Sequence, residues 1–207
     1  MRPDEAVDTL ASGLRDRLLA HGLDRHAALL TSLDDVEPPT TRADGPPVHR
    51  SVLRSVLRWW DPALARARAE TMGEIADAVA ELAPSLSWTR TAGHVADPPN
   101  AGFLDGYAHA TLAASPDDGP FFGVVLGLLL LGAGVDYPPH HHPADEVYLP
   151  LTPARWIHGL DEDHRPEPAG VPIHHRPWQP HGMRTGDAPL LAIYLWSGDV
   201  ATPSRFC

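Results

Sequence analysis

The sequence predicts a mainly β protein, an all-β barrel or sandwich, preceded by an N-terminal α-helical segment. Three observations carry this. The first 83 residues are rich in Ala, Leu and Arg, with apolar residues at helical spacing. From Trp88 onward, short apolar or alternating runs are separated by Gly, Pro and Asp. Eight of the 13 histidines, from His140 to His181, crowd into the last third. The expected division is a helical segment over 1–87 packing on a β-barrel domain over 88–207.

In the helical part, Val7, Leu10, Leu14 and Leu18 fall on one face, and Gly22 is a stop signal. Leu23 to Leu33 reads as a second short helix. The Pro-rich stretch from Glu37 to Pro47 reads as a loop. Val52, Leu53, Val56, Leu57 and Trp60 form another stripe. Asp61-Pro62 then looks like an N-cap followed by Pro at the first helical position, opening a helix through Met72, Ile75, Val79 and Leu82. Strands are expected within Phe103–Ala113, Phe121–Leu131, Glu146–Leu151, Arg155–His158, Val171–His175 and Leu190–Trp196.

Composition excludes several functions. The net charge is −11, which argues against a general nucleic-acid binder. All 16 basic residues are Arg, so lysine chemistry is absent. The single cysteine, Cys207, rules out an internal disulfide and Cys-rich zinc sites. The N-terminus carries acidic residues where a secretory leader needs an apolar core, so a cytoplasmic protein is expected. The longest apolar run, Phe121–Leu131, is too short to span a bilayer, and no membrane partner is expected.

The stretch from Gly134 to Tyr148 carries the chemistry. In an extended segment, His140 and His142 lie on one face. Glu146 and Tyr148 share a face if the chain turns at Pro143-Ala144-Asp145 and returns as a strand. Such a hairpin brings two imidazoles, a carboxylate and a phenol together, and His181 offers a third imidazole from a later strand. Neutral imidazoles with one carboxylate suit Fe(II), Zn, Mn, Ni or Cu, so one divalent transition metal is expected. The other histidines, His174 and His175 included, read as ordinary strand, core or surface residues.

The spacing Gly134-x5-His140-x-His142-x3-Glu146 matches the first cupin motif, with Pro153 in place of the closing Gly. Pro177 and His181 keep part of the second. The resemblance implies a cupin double-stranded β-barrel (jelly roll) with a metal at its centre. A narrower resemblance rests on Tyr137-x2-His140-x-His142-x3-Glu146-x-Tyr148, on His181-x-Met183-Arg184-Thr185, and on the run from Pro189 to Asp199. These look like the cupin dimethylsulfoniopropionate (DMSP) lyases, which cleave DMSP to dimethyl sulfide and acrylate. That likeness implies His140, His142, Glu146 and His181 as metal ligands, Tyr148 as general base, and Tyr137 and Trp196 as walls of the substrate pocket.

The chemistry is coherent with a small sulfonium carboxylate as partner. A divalent ion stabilises charge developing on the substrate carboxylate, and a neighbouring cation favours a phenolate at Tyr148. Aromatic faces attract a sulfonium, with Tyr137, Trp178, Tyr194 and Trp196 as candidates. Another metallocupin enzyme such as a dioxygenase, and a non-catalytic ligand-binding cupin, are the alternatives. Trp59 and Trp60 join the helices to the barrel or cover its mouth. The helical part is a lid or a homodimer surface, and the residues do not choose.

Overall fold

A computed structural model of the chain describes residues 3–33, 50–116, 122–160 and 162–207. The Pro-rich loop expected over Glu37–Pro47 lies outside them. Among the described residues five α-helices come first: α1 (Pro3–Ala20), α2 (Asp24–Leu29), α3 (Arg50–Leu57), α4 (Trp60–Ala69) and α5 (Gly73–Glu81). Gly22 ends α1 as expected. Its φ is 71°, and the amides of Gly22 and Leu23 return to the carbonyls of Leu19 and Leu18.

The helix expected from Asp61 to Leu82 is two helices. Glu70 turns to an extended ψ of −170°, and Gly73 restarts the helix. The Arg17 guanidinium donates to the freed carbonyl of Thr71 at 3.1 Å, so the break has a partner. Pro62 sits in the first turn of α4, where a missing N–H costs nothing.

The strands follow: β1 (Trp88–Thr89), β2 (Tyr107–Pro116), β3 (Phe122–Leu131), β4 (Asp136–His141), β5 (Asp145–Pro150), β6 (Ala154–Ile157), β7 (Arg165–Glu167), β8 (Ile173–His175), β9 (His181–Arg184), β10 (Leu190–Asp199) and β11 (Arg205–Phe206). Short helices α6 (Ala92–Ala96) and α7 (Phe103–Gly106) separate β1 from β2. The start of the strand expected at Phe103 is therefore a helical turn. It opens at Gly102 with φ 88° and sinks Phe103 completely into the core.

Two antiparallel sheets form the barrel, in the orders β1-β2-β3-β10-β5-β8 and β11-β4-β9-β6-β7. The larger sheet is buried on both faces. Val147, Leu149, Leu191, Ile193 and Leu195 join the cluster that holds the helices, through Leu10, Leu14, Leu64 and Val79. The alternate residues Tyr148, Leu190, Ala192 and Tyr194 turn into the barrel. This explains why β3 and β10 read as nearly unbroken apolar runs rather than alternating ones. Trp59 packs against Gly132, where a Cβ would lie 2.5 Å from its Nε1, and Trp60 meets Trp88 edge-on. Both tryptophans thus join helices to barrel.

Gly127 is required by a close approach. It faces Tyr194 across the β3–β10 ladder, and a Cβ there would lie 2.2 Å from the phenol ring. Gly127→Ala is expected to displace Tyr194 and cost about 1–3 kcal/mol. A urea unfolding midpoint equal to that of the unsubstituted protein would contradict this.

Candidate active site

The residues singled out in sequence come from both sheets and meet inside the barrel. Tyr137 and His140 lie on β4, His142 just beyond it, and His181 on β9, where it pairs with His140. Glu146 and Tyr148 lie on β5, opposite Trp196 and Tyr194 of β10. The turn at Pro143-Ala144 carries the chain from β4 in one sheet to β5 in the other, so the two strands meet across the barrel and are not paired as the hairpin that the spacing suggested.

Nitrogens of His142 and His181 and a carboxylate oxygen of Glu146 lie within 4.8 Å of one another, all three residues buried. Oε2 of Glu146 is 2.9 Å from Nε2 of His142 and 3.0 Å from Nε2 of His181. His140 stands beside this trio, its ring 4.3 Å from that of His181.

The donor pattern fits a metal ion. Nδ1 of His140 faces the carbonyl of Pro138 at 3.1 Å, Nδ1 of His142 that of Ala144 at 3.1 Å, and Nδ1 of His181 that of Gln179 at 2.8 Å. A carbonyl only accepts, so each Nδ1 carries the proton and each neutral ring presents a bare Nε2. Two such lone pairs facing a carboxylate repel unless a positive charge lies among them. Nε2 of His181 is buried without a hydrogen-bond partner. An extra proton or a metal ion satisfies the arrangement, and imidazole nitrogen with carboxylate oxygen is a donor set for divalent transition metals.

The surroundings reinforce this charge pattern. Burial alone would raise the Glu146 carboxyl, but positive charge and hydrogen-bond donation at His142, then at His181, hold it well below the usual range. Burial, then the Glu146 charge, pushes the Tyr148 phenol well above its ordinary value. Burial, then His181, keeps His140 neutral.

A cavity of about 320 Å³ opens beside the trio. Tyr107, Tyr137, Tyr148, Tyr194 and Trp196 line it, with His140 and Glu146 at one side. Among the described residues, none before Thr89 reaches it. Trp196 has a second contact, because its Nε1–H donates to Oε1 of Glu146 while its ring lies 4.3 Å from His142. Trp178 is outside the cavity. It is exposed, takes a left-handed φ of 64° in the turn before His181, and meets Arg205 instead.

Three histidines read as bland have specific places. His175 is fully buried and stacks on His181 at 4.1 Å. His94 lies 3.5 Å from the Tyr137 hydroxyl, and His109 lines the cavity wall. The signal for His109 and Tyr107 was the alternation Tyr107-x-His109-x-Thr111, which puts all three on one strand face. His94 had no such signal, because its helix spans only Ala92–Ala96.

Burial, and for His94 also His109, holds the His94 and His109 imidazoles down to about 4, against an ordinary 6.5. Both are neutral when folded and take up protons more readily when unfolded. Their contribution is complete above pH 6.5 and is lost as pH falls from there towards 4, by about 1.4 kcal/mol per unit and group at most. The urea midpoint should fall across that window, and His109→Gln should flatten the fall. Equal pH slopes would contradict the assignment.

The sequence pattern of the dimethylsulfoniopropionate lyase family matches residues 23–192 of this chain. The chain belongs to the dimethylsulfoniopropionate lyase family. Over 106 residues the family member is 38% identical to the dimethylsulfoniopropionate lyase DddQ of Ruegeria pomeroyi. That match covers 49% of this chain and 51% of the relative, so it spans about half the relative's length. The crystal structure of DMSP lyase DddQ from Ruegeria pomeroyi superposes with a TM-score of 0.62 at 23% identity, over 96% of each chain. A crystal structure from work on the DMSP lyases RdDddP and RnDddQII gives 0.60 at 19% identity, over 99% of each. These likenesses establish the fold of this lyase-family chain as a β-barrel of two antiparallel sheets with N-terminal helices. No helix among its described residues is long and apolar enough to cross a membrane.

Proposed function

We propose that this chain is a metal-dependent carbon–sulfur lyase that cleaves DMSP to dimethyl sulfide and acrylate by β-elimination. Family membership supports the reaction. The convergence of His142, Glu146 and His181 beside Tyr148 is the observation that carries the mechanism.

His140, His142, Glu146 and His181 would hold one divalent ion, for which Fe(II), Zn, Mn and Ni are all suitable. When bound, the ion supplies a Lewis acid for the substrate carboxylate and a positive charge that favours the Tyr148 phenolate. Tyr148 is the general base. Its oxygen takes the proton from the carbon next to the carboxylate, the C–H electrons become the new double bond, and the C–S pair leaves on neutral sulfur. Tyr148 ends as a phenol and returns its proton to solvent.

Tyr137, Tyr194 and Trp196 offer aromatic faces to the sulfonium, each worth ~0.5–2 kcal/mol. Tyr137 is held for this role, stacked on His140 at 4.0 Å and 5° and touched by His94 on its hydroxyl side. Through its bond to Glu146, Trp196 links the aromatic wall to the carboxylate.

The reading is tested by incubating metal-loaded protein with DMSP and measuring dimethyl sulfide in the headspace and acrylate in solution. Stoichiometric release of both is expected. No dimethyl sulfide above a heat-inactivated control overturns the proposal.

A further inference from the structure

A second group of potential ligands lies where the helices meet the barrel, and the lyase reaction makes no use of it. His26 on α2, Asp145 at the start of β5 and His174 on β8 are far apart in sequence but converge on the Asp145 carboxylate. Nε2 of His174 is 2.6 Å from Oδ1, and Nε2 of His26 is 3.2 Å from Oδ2. The two rings meet edge-on, 4.8 Å apart. One ligand atom from each residue lies within 4.8 Å of the others, as in the catalytic trio.

We propose that His26, Asp145 and His174 form a second, weaker site for a divalent transition-metal ion, with zinc the best-suited probe. Two imidazole nitrogens and a carboxylate oxygen are a borderline donor set, which favours Zn, Ni or Cu(II) over Mg or Ca. The His174 side chain is 32% exposed, which gives an ion a way in and leaves a position for water. Burial keeps His26 on the neutral side, the form that ligates.

The tautomers explain why an ion can displace the present hydrogen bonds. Nδ1 of His26 is buried and has no hydrogen-bond partner, so only the Asp145 carboxylate holds the proton, on Nε2. An ion on the Asp145 carboxylate replaces that hydrogen bond, and with the proton moved to Nδ1 the bared Nε2 becomes a ligand. The catalytic imidazoles differ, because a backbone carbonyl holds each Nδ1 proton in place. Lacking that support, the second site is expected to bind about 10–100-fold more weakly. Arg25, 3.8 Å from Oδ2 and 78% exposed, is a competing cation that can swing into water. An ion here ties α2 to β5 and β8 and fixes the residue before Glu146.

Chelated protein of residues 1–207 would be titrated with zinc sulfate, with ions per chain read by calorimetry and by metal analysis after gel filtration. Two ions per chain in two separable steps are expected. His174→Gln keeps a donor for Asp145 but removes the ligand nitrogen, and should lose only the weaker step. Arg25→Ala, at an exposed position, should tighten the weaker step several-fold. Glu146→Gln should lose the tighter step and keep the weaker one, which separates this proposal from the lyase reading. A single ion per chain in unsubstituted protein overturns the site, as does a weaker step unmoved by either His174→Gln or Arg25→Ala. Should His174→Gln fail to fold by circular dichroism, the Arg25→Ala titration decides alone.

Discussion

Tyr148→Phe is expected to lower kcat on DMSP by roughly 10²–10⁴-fold, the span of positioned general-base catalysis, while leaving metal content unchanged. The substitution removes one oxygen from a ring that stays packed against Trp156 at 4.9 Å and near Tyr194 at 6.5 Å. The ring's environment makes that oxygen's behaviour informative. Burial and the Glu146 charge both hold the proton on it in the metal-free protein. A phenolate therefore needs a compensating cation nearby, and base strength and metal occupancy are coupled. The variant should show near-normal KM, since the aromatic wall persists, and lose rate in the chemical step. Metal analysis beside steady-state kinetics checks this. A variant with full metal and unsubstituted kcat removes Tyr148 as base.

The placement of Tyr148 also shows what was legible in the sequence. Period-2 spacing put His140 with His142, and Glu146 with Tyr148. The turn at Pro143-Ala144 brings the two pairs together across the barrel, not as a paired hairpin. The fold class followed from the switch in periodicity near Trp88. Other features depend on tertiary contact and left no local trace. The break between α4 and α5 is stabilised by Arg17, more than fifty residues upstream. His94 approaches Tyr137 only because its short helix is pinned between Phe206, stacked at 4.3 Å, and the barrel wall. His26 and His174 carry no shared pattern, because sheet order and helix packing bring them to Asp145. Trp178 misled for a related reason. An aromatic next to a ligand strand resembles a pocket residue, but its left-handed backbone turns the indole outward.

Glu146→Gln should abolish metal retention and activity, yet leave metal-free protein more stable than the metal-free parent at neutral pH. The lost carboxylate oxygen takes a ligand from the ion, and several kcal/mol of transition-state charge stabilisation go with it, a loss of about 10³-fold or more in rate. The stability gain follows from the tautomers. In the metal-free parent, bare Nε2 atoms of His142 and His181 face a buried anion at 2.9 and 3.0 Å. An added proton must be drawn from solvent to relieve them. The glutamine amide has N–H groups that donate to those lone pairs, and its oxygen still accepts from the indole of Trp196. A satisfied neutral network thus replaces an ionic one that lacks its cation. The sign reverses when metal is present, because only the parent gains binding energy from the ion. Urea unfolding of both proteins at neutral pH, with chelator and with metal, measures both terms. A chelated parent as stable as or more stable than chelated Glu146→Gln at neutral pH would mean that its carboxylate and imidazoles do not need a cation between them.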